Sequence, residues 1–152
     1  EGRLSSESKL EIRGMLREVT EIESIGDSCY NLARTINRKR SGGNDFTEKQ
    51  YEHIHQMMQL TDDALAQMIA VVEDEHHAVD VNKSFNIENE MNNYRAQLKN
   101  QNVVDVNNKE YDYQMGVHYM DLIGECEKLG DYVVNVVEAR TNVKEKKVGD
   151  NR

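Results

Sequence analysis

Proline is missing from all 152 residues, where average usage near 5% would supply roughly seven or eight. Proline breaks helix interiors, so its absence, beside nine glycines and 31% charged residues, points to long helices. Cysteine is scarce as well. Cys29 and Cys126 are too few for a secreted disulfide scaffold, and each reads as a small apolar core thiol in a reducing, cytoplasmic setting. No apolar run approaches the ~20 residues that span a bilayer, and no signal peptide opens the chain. Positive charge is in deficit, with 19 Lys and Arg against 28 Asp and Glu and a net charge of −9. Such a surface repels phosphate backbones and anionic lipid, which argues against nucleic acid as a partner. It still attracts multivalent cations. An initiating methionine is lacking too, which fits an excerpt of a longer protein, and the length suits a single domain.

What is present is helical periodicity. Ile12, Met15, Leu16, Val19, Ile22, Ile25, Cys29, Leu32 and Ile36 recur three and four apart. They predict a helix from about 5 to 40 with these residues in the core. Arg38 to Arg40 complement its carbonyl end, and Gly42 and Gly43 terminate it. Thr47 with Gln50 spells a capping box for a second helix, and Phe46 with Tyr51 is placed as its hydrophobic staple. Its seam reads Tyr51, Ile54, Met58, Thr61, Leu65, Met68, Val72, and the helix should reach Glu75 to His77. A third helix is expected from Ser84 through Ile87, Met91, Tyr94 and Leu98, then an asparagine-rich loop from Asn100 to Asn108. A fourth should start near Asn108 and run through Tyr111, Met115, Tyr119, Leu122, Cys126, Leu129, Val133 and Val136 to between Arg140 and Lys144. The expected fold is all-α: an antiparallel bundle of about four helices, the first and last long, the middle two shorter. A charged tail from Val143 to Arg152 should fray.

One phrase is written twice. TEIESIGDSCYN at residues 20 to 31 and GECEKLGDYVVN at residues 124 to 135 share Glu, x, Glu, x, Ile or Leu, Gly, Asp, three residues, Asn, at an offset of 104. At 3.6 residues per turn Glu23 and Asp27 lie one turn apart on the flank of the apolar stripe, beside Gly26. Glu127, Asp131 and Gly130 repeat the arrangement. Neither feature helps a helix. A buried-face glycine costs ~1 kcal/mol against alanine, and like charges four apart cost about 0.2–0.5 kcal/mol more. The glycines are explained if a neighbouring helix approaches closely. The carboxylates are explained if a hard cation, such as Fe, Mn, Mg or Ca, sits between them.

Other motifs carry less. Glu52-x-x-His55 and Glu73-x-x-His76 each spell part of a ferritin-like di-metal site. Both fall on helix two, roughly 30 Å apart by helical rise, so they cannot share a metal. His76 and His77 beside Glu73, Asp74 and Glu75 read as a hydrated helix end. His53 and His118 have no evident partner in the sequence. Met15, Met58, Met68, Met91 and Met115 are core filler. No nucleophile with a positioned base, no phosphate-cradling glycine loop and no zinc spacing occurs, so no enzyme is expected.

ESIGDSCYN and EKLGDYVVN resemble the E-x-[IL]-G-D helices of PhoU-type phosphate-uptake regulators. That resemblance implies two three-helix repeats, with ExxxD on each repeat's last helix and multinuclear metal clusters bound there. It makes Glu23, Asp27, Glu127 and Asp131 metal ligands and Gly26 and Gly130 packing glycines. Residues 1–43 would be a partial first repeat lacking its first two helices, and residues 44–145 a complete second repeat. The wording SIGDSCYNLARTINRKR also looks like the cytosolic PhoU-like tail of bacterial sodium/phosphate cotransporters. This implies a regulatory domain at the cytoplasmic face of the inner membrane, with the transmembrane portion of the same chain as partner and a homodimer as a further partner. The alternatives are a free-standing PhoU-type regulator and, less well supported, a di-metal carboxylate protein.

Overall fold

Helix starts are written into side chains that satisfy otherwise orphaned backbone donors. Thr47 Oγ1 accepts from Gln50 N at 3.1 Å while Gln50 Oε1 accepts from Thr47 N at 3.0 Å, and Phe46 meets Tyr51 edge to face at 5.6 Å. The capping box and the staple therefore both form. Asp112 Oδ1 accepts from Met115 N at 2.7 Å and starts the last helix. In the computed structural model, which describes residues 2–41 and 44–143, these signals open two of four helices. They are α1 (Ser6–Ser41), α2 (Glu48–Val72), α3 (Asn82–Asn107) and α4 (Tyr113–Thr141). Helix accounts for 83% of the described residues, with no strand among them. The all-α expectation holds. Gly42, Gly43 and the tail from Lys144 lie outside the described residues.

Three boundaries differ from expectation: α2 ends at Val72 and does not reach Glu75 to His77, α4 begins at Tyr113 and not near Asn108, and α3 runs on through the expected loop. The asparagine-rich stretch is helical to Asn107, which gives α3 26 residues against 29 in α4. Contact of Asn102 and Val106 with Gly116 of α4 and local hydrogen bonds override propensity there. Leu98 packs into the core, Tyr111 Oη donates to Asn102 Oδ1 at 2.7 Å, and Gln101 donates to Asp105 one turn on at 2.8 Å. The chain turns instead at Asn108 to Asp112, where Lys109 takes a positive φ of 59°. The α2 seam is offset from the expected one. Gln50, Ile54, Met57, Thr61, Ala64, Met68 and Val71 are buried, and Met58, Leu65 and Val72 pack along its edge.

The core lies between α2, α3 and α4, all in mutual contact. It is centred on Met57, Met91, Ile123, Cys126, Leu129, Val133, Val136 and Val137. Within this bundle α1 sits at the edge, packing on α4 and, among the described residues, on no other helix. Only Ile25 of its expected core stripe is buried. Ile12, Met15, Leu16, Val19, Ile22 and Ile36 are exposed, as is Cys29, whereas Cys126 is buried. Periodicity had identified an amphipathic helix correctly. It could not say that nothing in the described chain covers the stripe.

Candidate functional site: the α1–α4 seam

The doubled phrase sits at the middle of the α1–α4 seam, the only seam that holds α1 among the described residues. Asn31 Nδ2 donates to Glu125 Oε1 at 3.3 Å, and Asn135 Nδ2 donates to Glu21 Oε2 at 3.1 Å. Both partners of one bond are shifted by the same 104 residues from those of the other. The helices therefore run antiparallel, and a local two-fold relates the copies. Gly26 and Gly130 fall at its level, midway between the bonded positions of each helix. Ion pairs fix the outer end of the seam: Arg17–Glu138 at 3.3 Å and Arg140–Glu18 at 3.9 Å. Beside them Gly14 lets α1 approach Ala139 O, to which a Cβ on Gly14 would stand at 3.5 Å. Asparagine and the leading glutamate of each phrase are thus seam residues, each half-buried.

The second acid of each phrase points elsewhere. Glu23 and Asp27 are exposed on the uncovered side of α1. Glu127 is half-buried against α3, where Arg95 Nε lies 2.7 Å from its Oε2. Burial pushes the Glu127 carboxyl above the usual carboxylate range, Arg95 pulls it partly back, and Asp131 one turn on pushes it up again. The glycines differ in the same way. A Cβ on Gly130 would meet Met91 Sδ at 3.0 Å and Cε at 3.1 Å, while one on Gly26 meets nothing within 4 Å. Close helix approach explains Gly130 and leaves Gly26 without a neighbour. Gly116, which the sequence reading passed over, is a second close approach: its Cβ would lie 2.9 Å from Asn102 Oδ1.

As cation ligands the two pairs are right in donor type and short in number. Hard cations take six or more oxygens, each helix offers two carboxylates, and Glu127 already faces Arg95. Among the described residues no group of three or more His, Cys, Asp or Glu is placed to hold a metal ion. The seam therefore does not bring Glu23 and Asp27 together with Glu127 and Asp131.

Two histidine positions take part in structural contacts. Asp74 closes the turn after α2, accepting from His76 N at 3.1 Å and Val79 N at 2.7 Å. His53 has a partner the sequence did not disclose, Tyr119 Oη at 3.0 Å from Nδ1. It borders a polar cleft of about 240 Å³ between the start of α2 and the end of α3. Burial lowers the His53 pKa, and Lys49 adds to the effect. Signals for Arg95 and for this His–Tyr contact were not available in sequence spacing, because both join residues of different helices.

No described helix is long and apolar enough to cross a membrane. No curated protein and no solved structure is a significant match to the chain. The PhoU domain family matches residues 54–139, which takes in all of α3, the second copy of the phrase and nearly all of α4. That match spans more than half of the 152 residues, and with it the chain belongs to the PhoU domain family.

Proposed function

We propose that this chain is a regulatory module of bacterial phosphate uptake, acting on a sodium-dependent phosphate transporter at the cytoplasmic face of the inner membrane and joined to its membrane portion. PhoU-family proteins are phosphate-related regulators and not enzymes, and the family match is the observation that carries this reading. The likeness of the α1 wording to cotransporter tails supports the transporter context. A regulator must also own an element whose packing can change between two states. Helix α1, which packs on α4 alone among the described helices, through two Asn–Glu bonds, ion pairs and buried Ile25 and Ser28, is the element suited to that. The acid pairs Glu23/Asp27 and Glu127/Asp131 are proposed to take a hard cation (Fe, Mn, Mg or Ca) only together with further oxygen donors.

The test is sodium-driven phosphate uptake in the native cell with the segment that encodes these 152 residues intact or deleted. A changed response of uptake to external phosphate supports the reading, and identical uptake at every phosphate level overturns it. The cation is tested separately. Mn or Fe(III) should raise the melting temperature of the native protein, and joint Glu23→Gln, Asp27→Asn, Glu127→Gln and Asp131→Asn should remove the rise. An equal rise in the quadruple variant removes these carboxylates from the ligand role.

A further inference from the structure

The polar cleft beside His53 has two walls of opposite charge. One is the first turn of α2, where Lys49 and Gln50 line it. The other is the last turn of α3 and the turn that follows, with Asp105 and Glu110. Glu110 N donates to Asp105 O at 3.0 Å, which folds residue 110 back beside the helix end. The helices add to the same polarity, because α2 presents its positive N-terminal end and α3 its negative C-terminal end. Lys49 nevertheless pairs with neither acid: among the described residues no ion pair joins it to Asp105 or Glu110. Opposite charges line one open space of about 240 Å³ without meeting.

A second observation comes from Gln50, which lines the cleft and is only 3% exposed. Its Oε1 serves the α2 cap, but its Nε2 is buried and makes no hydrogen bond. Burial and Asp105 raise the Tyr111 pKa and the Gln50 amide opposes them, so the amide and the phenol are close. Tyr111 Oη is nevertheless aligned on Asn102. A buried donor left unmade is costly, and a ligand that brings an acceptor relieves it. Buried Leu98 and Tyr119 give the same cleft an apolar part.

We propose that this cleft binds a free α-amino acid, with its carboxylate on Lys49 and Gln50 Nε2, its ammonium on Asp105 and Glu110, and its side chain against Leu98. Complementarity selects the class. A simple anion such as phosphate would meet two carboxylates, and a simple cation would meet Lys49. A small zwitterion satisfies both walls at once. Burial lowers the His53 pKa and Lys49 adds to the effect, so the imidazole is mainly uncharged at neutral pH and leaves that balance intact. Drug-sized ligands fill ~300–1,000 Å³, and a cleft of about 240 Å³ suits a smaller molecule. Bound there, the ligand ties the start of α2 to the end of α3. The inference depends on neither the transporter reading nor the cation.

Isothermal titration of the intact chain with each of the common protein amino acids tests it, at probe concentrations into the millimolar range. The expected result is one-to-one binding of at least one of them. Its N-acetyl derivative, which lacks the ammonium, and its decarboxylated amine, which lacks the carboxylate, should each bind at least about tenfold more weakly. Lys49→Met and Asp105→Asn should each weaken the same probe by a similar factor, and Lys83→Met, at the far end of α3, should leave it unchanged. Circular dichroism checks that the variants fold. The analogue comparison uses the unaltered chain, so it decides the matter even where a variant does not fold. Amide NMR shifts caused by the probe should centre on residues 47–53 and 101–111. Failure of every amino acid to bind leaves the cleft to water and overturns the inference. Binding that ignores N-acetylation, decarboxylation or either cleft variant, or that shifts amides only outside the cleft, overturns it as well.

Discussion

The same substitution in the two copies of the phrase should have opposite effects. Gly26→Ala and Gly130→Ala replace equivalent residues in helix interiors, and each gains ~1 kcal/mol of helix propensity. At Gly26 nothing opposes the gain, since the new Cβ meets no atom within 4 Å. At Gly130 the Cβ would press on Met91 Sδ and Cε at 3.0 and 3.1 Å, and Met91 is itself fully buried, so its end has no free space to move into. Overpacking of this kind costs ~1–3 kcal/mol. The expected net effects are a gain of ~1 kcal/mol for Gly26→Ala and a loss of about the same size for Gly130→Ala. In melting temperature each is a shift of roughly 2–4 °C for a chain of this length. The assay is urea and thermal unfolding followed by circular dichroism. Amide exchange within α1 reads that helix directly, because α1 rests on α4 alone. Equal stabilisation by both substitutions would refute the close approach of Met91 to α4. Equal destabilisation would refute the bare face of α1.

The two thiols should separate cleanly: an aromatic disulfide reagent should modify exposed Cys29 quickly in the native protein, while Cys126, whose pKa burial pushes up to about 11, should react only on unfolding. Equal rates at neutral pH would contradict the placement of α1. For Glu127, carbon-detected NMR should give a titration midpoint above that of an ordinary glutamate, and Arg95→Met should raise it further. Because the folded-state pKa is raised, this group favours the folded state fully below its unfolded pKa. That contribution is lost as pH rises through the folded value. A midpoint at or below the ordinary value would show that Arg95 outweighs burial.

Local signals were the legible ones. The capping box at Thr47 and the staple of Phe46 on Tyr51 involve residues a few positions apart, so their letters nearly determine their geometry. The stripe of α4 was equally plain, because that helix is the hub on which every other helix packs. What failed depended on distant partners. Asn100 to Asn108 read as loop by composition, yet Tyr111, from the turn that follows α3, binds Asn102 and helps keep the stretch helical to Asn107. The α1 stripe read as core because periodicity reports an apolar face and not what covers it. In the phrase itself the repetition was visible. Its pairing rule, glutamate of one copy to asparagine of the other, needed the antiparallel seam before it could be seen.

That pairing rule is tested most directly by a set of double-mutant cycles on α1 docking, read by amide exchange in α1. Alanine substitutions at Asn31 with Glu125, and at Asn135 with Glu21, should each give a coupling of ~0.5–1.5 kcal/mol, the usual worth of such a hydrogen bond. The two couplings should agree within ~0.5 kcal/mol, and the crossed pairs, Asn31 with Glu21 and Asn135 with Glu125, should show none. Coupling in the crossed pairs, or in neither cycle, would contradict the account of the doubled phrase as a two-fold clasp between α1 and α4.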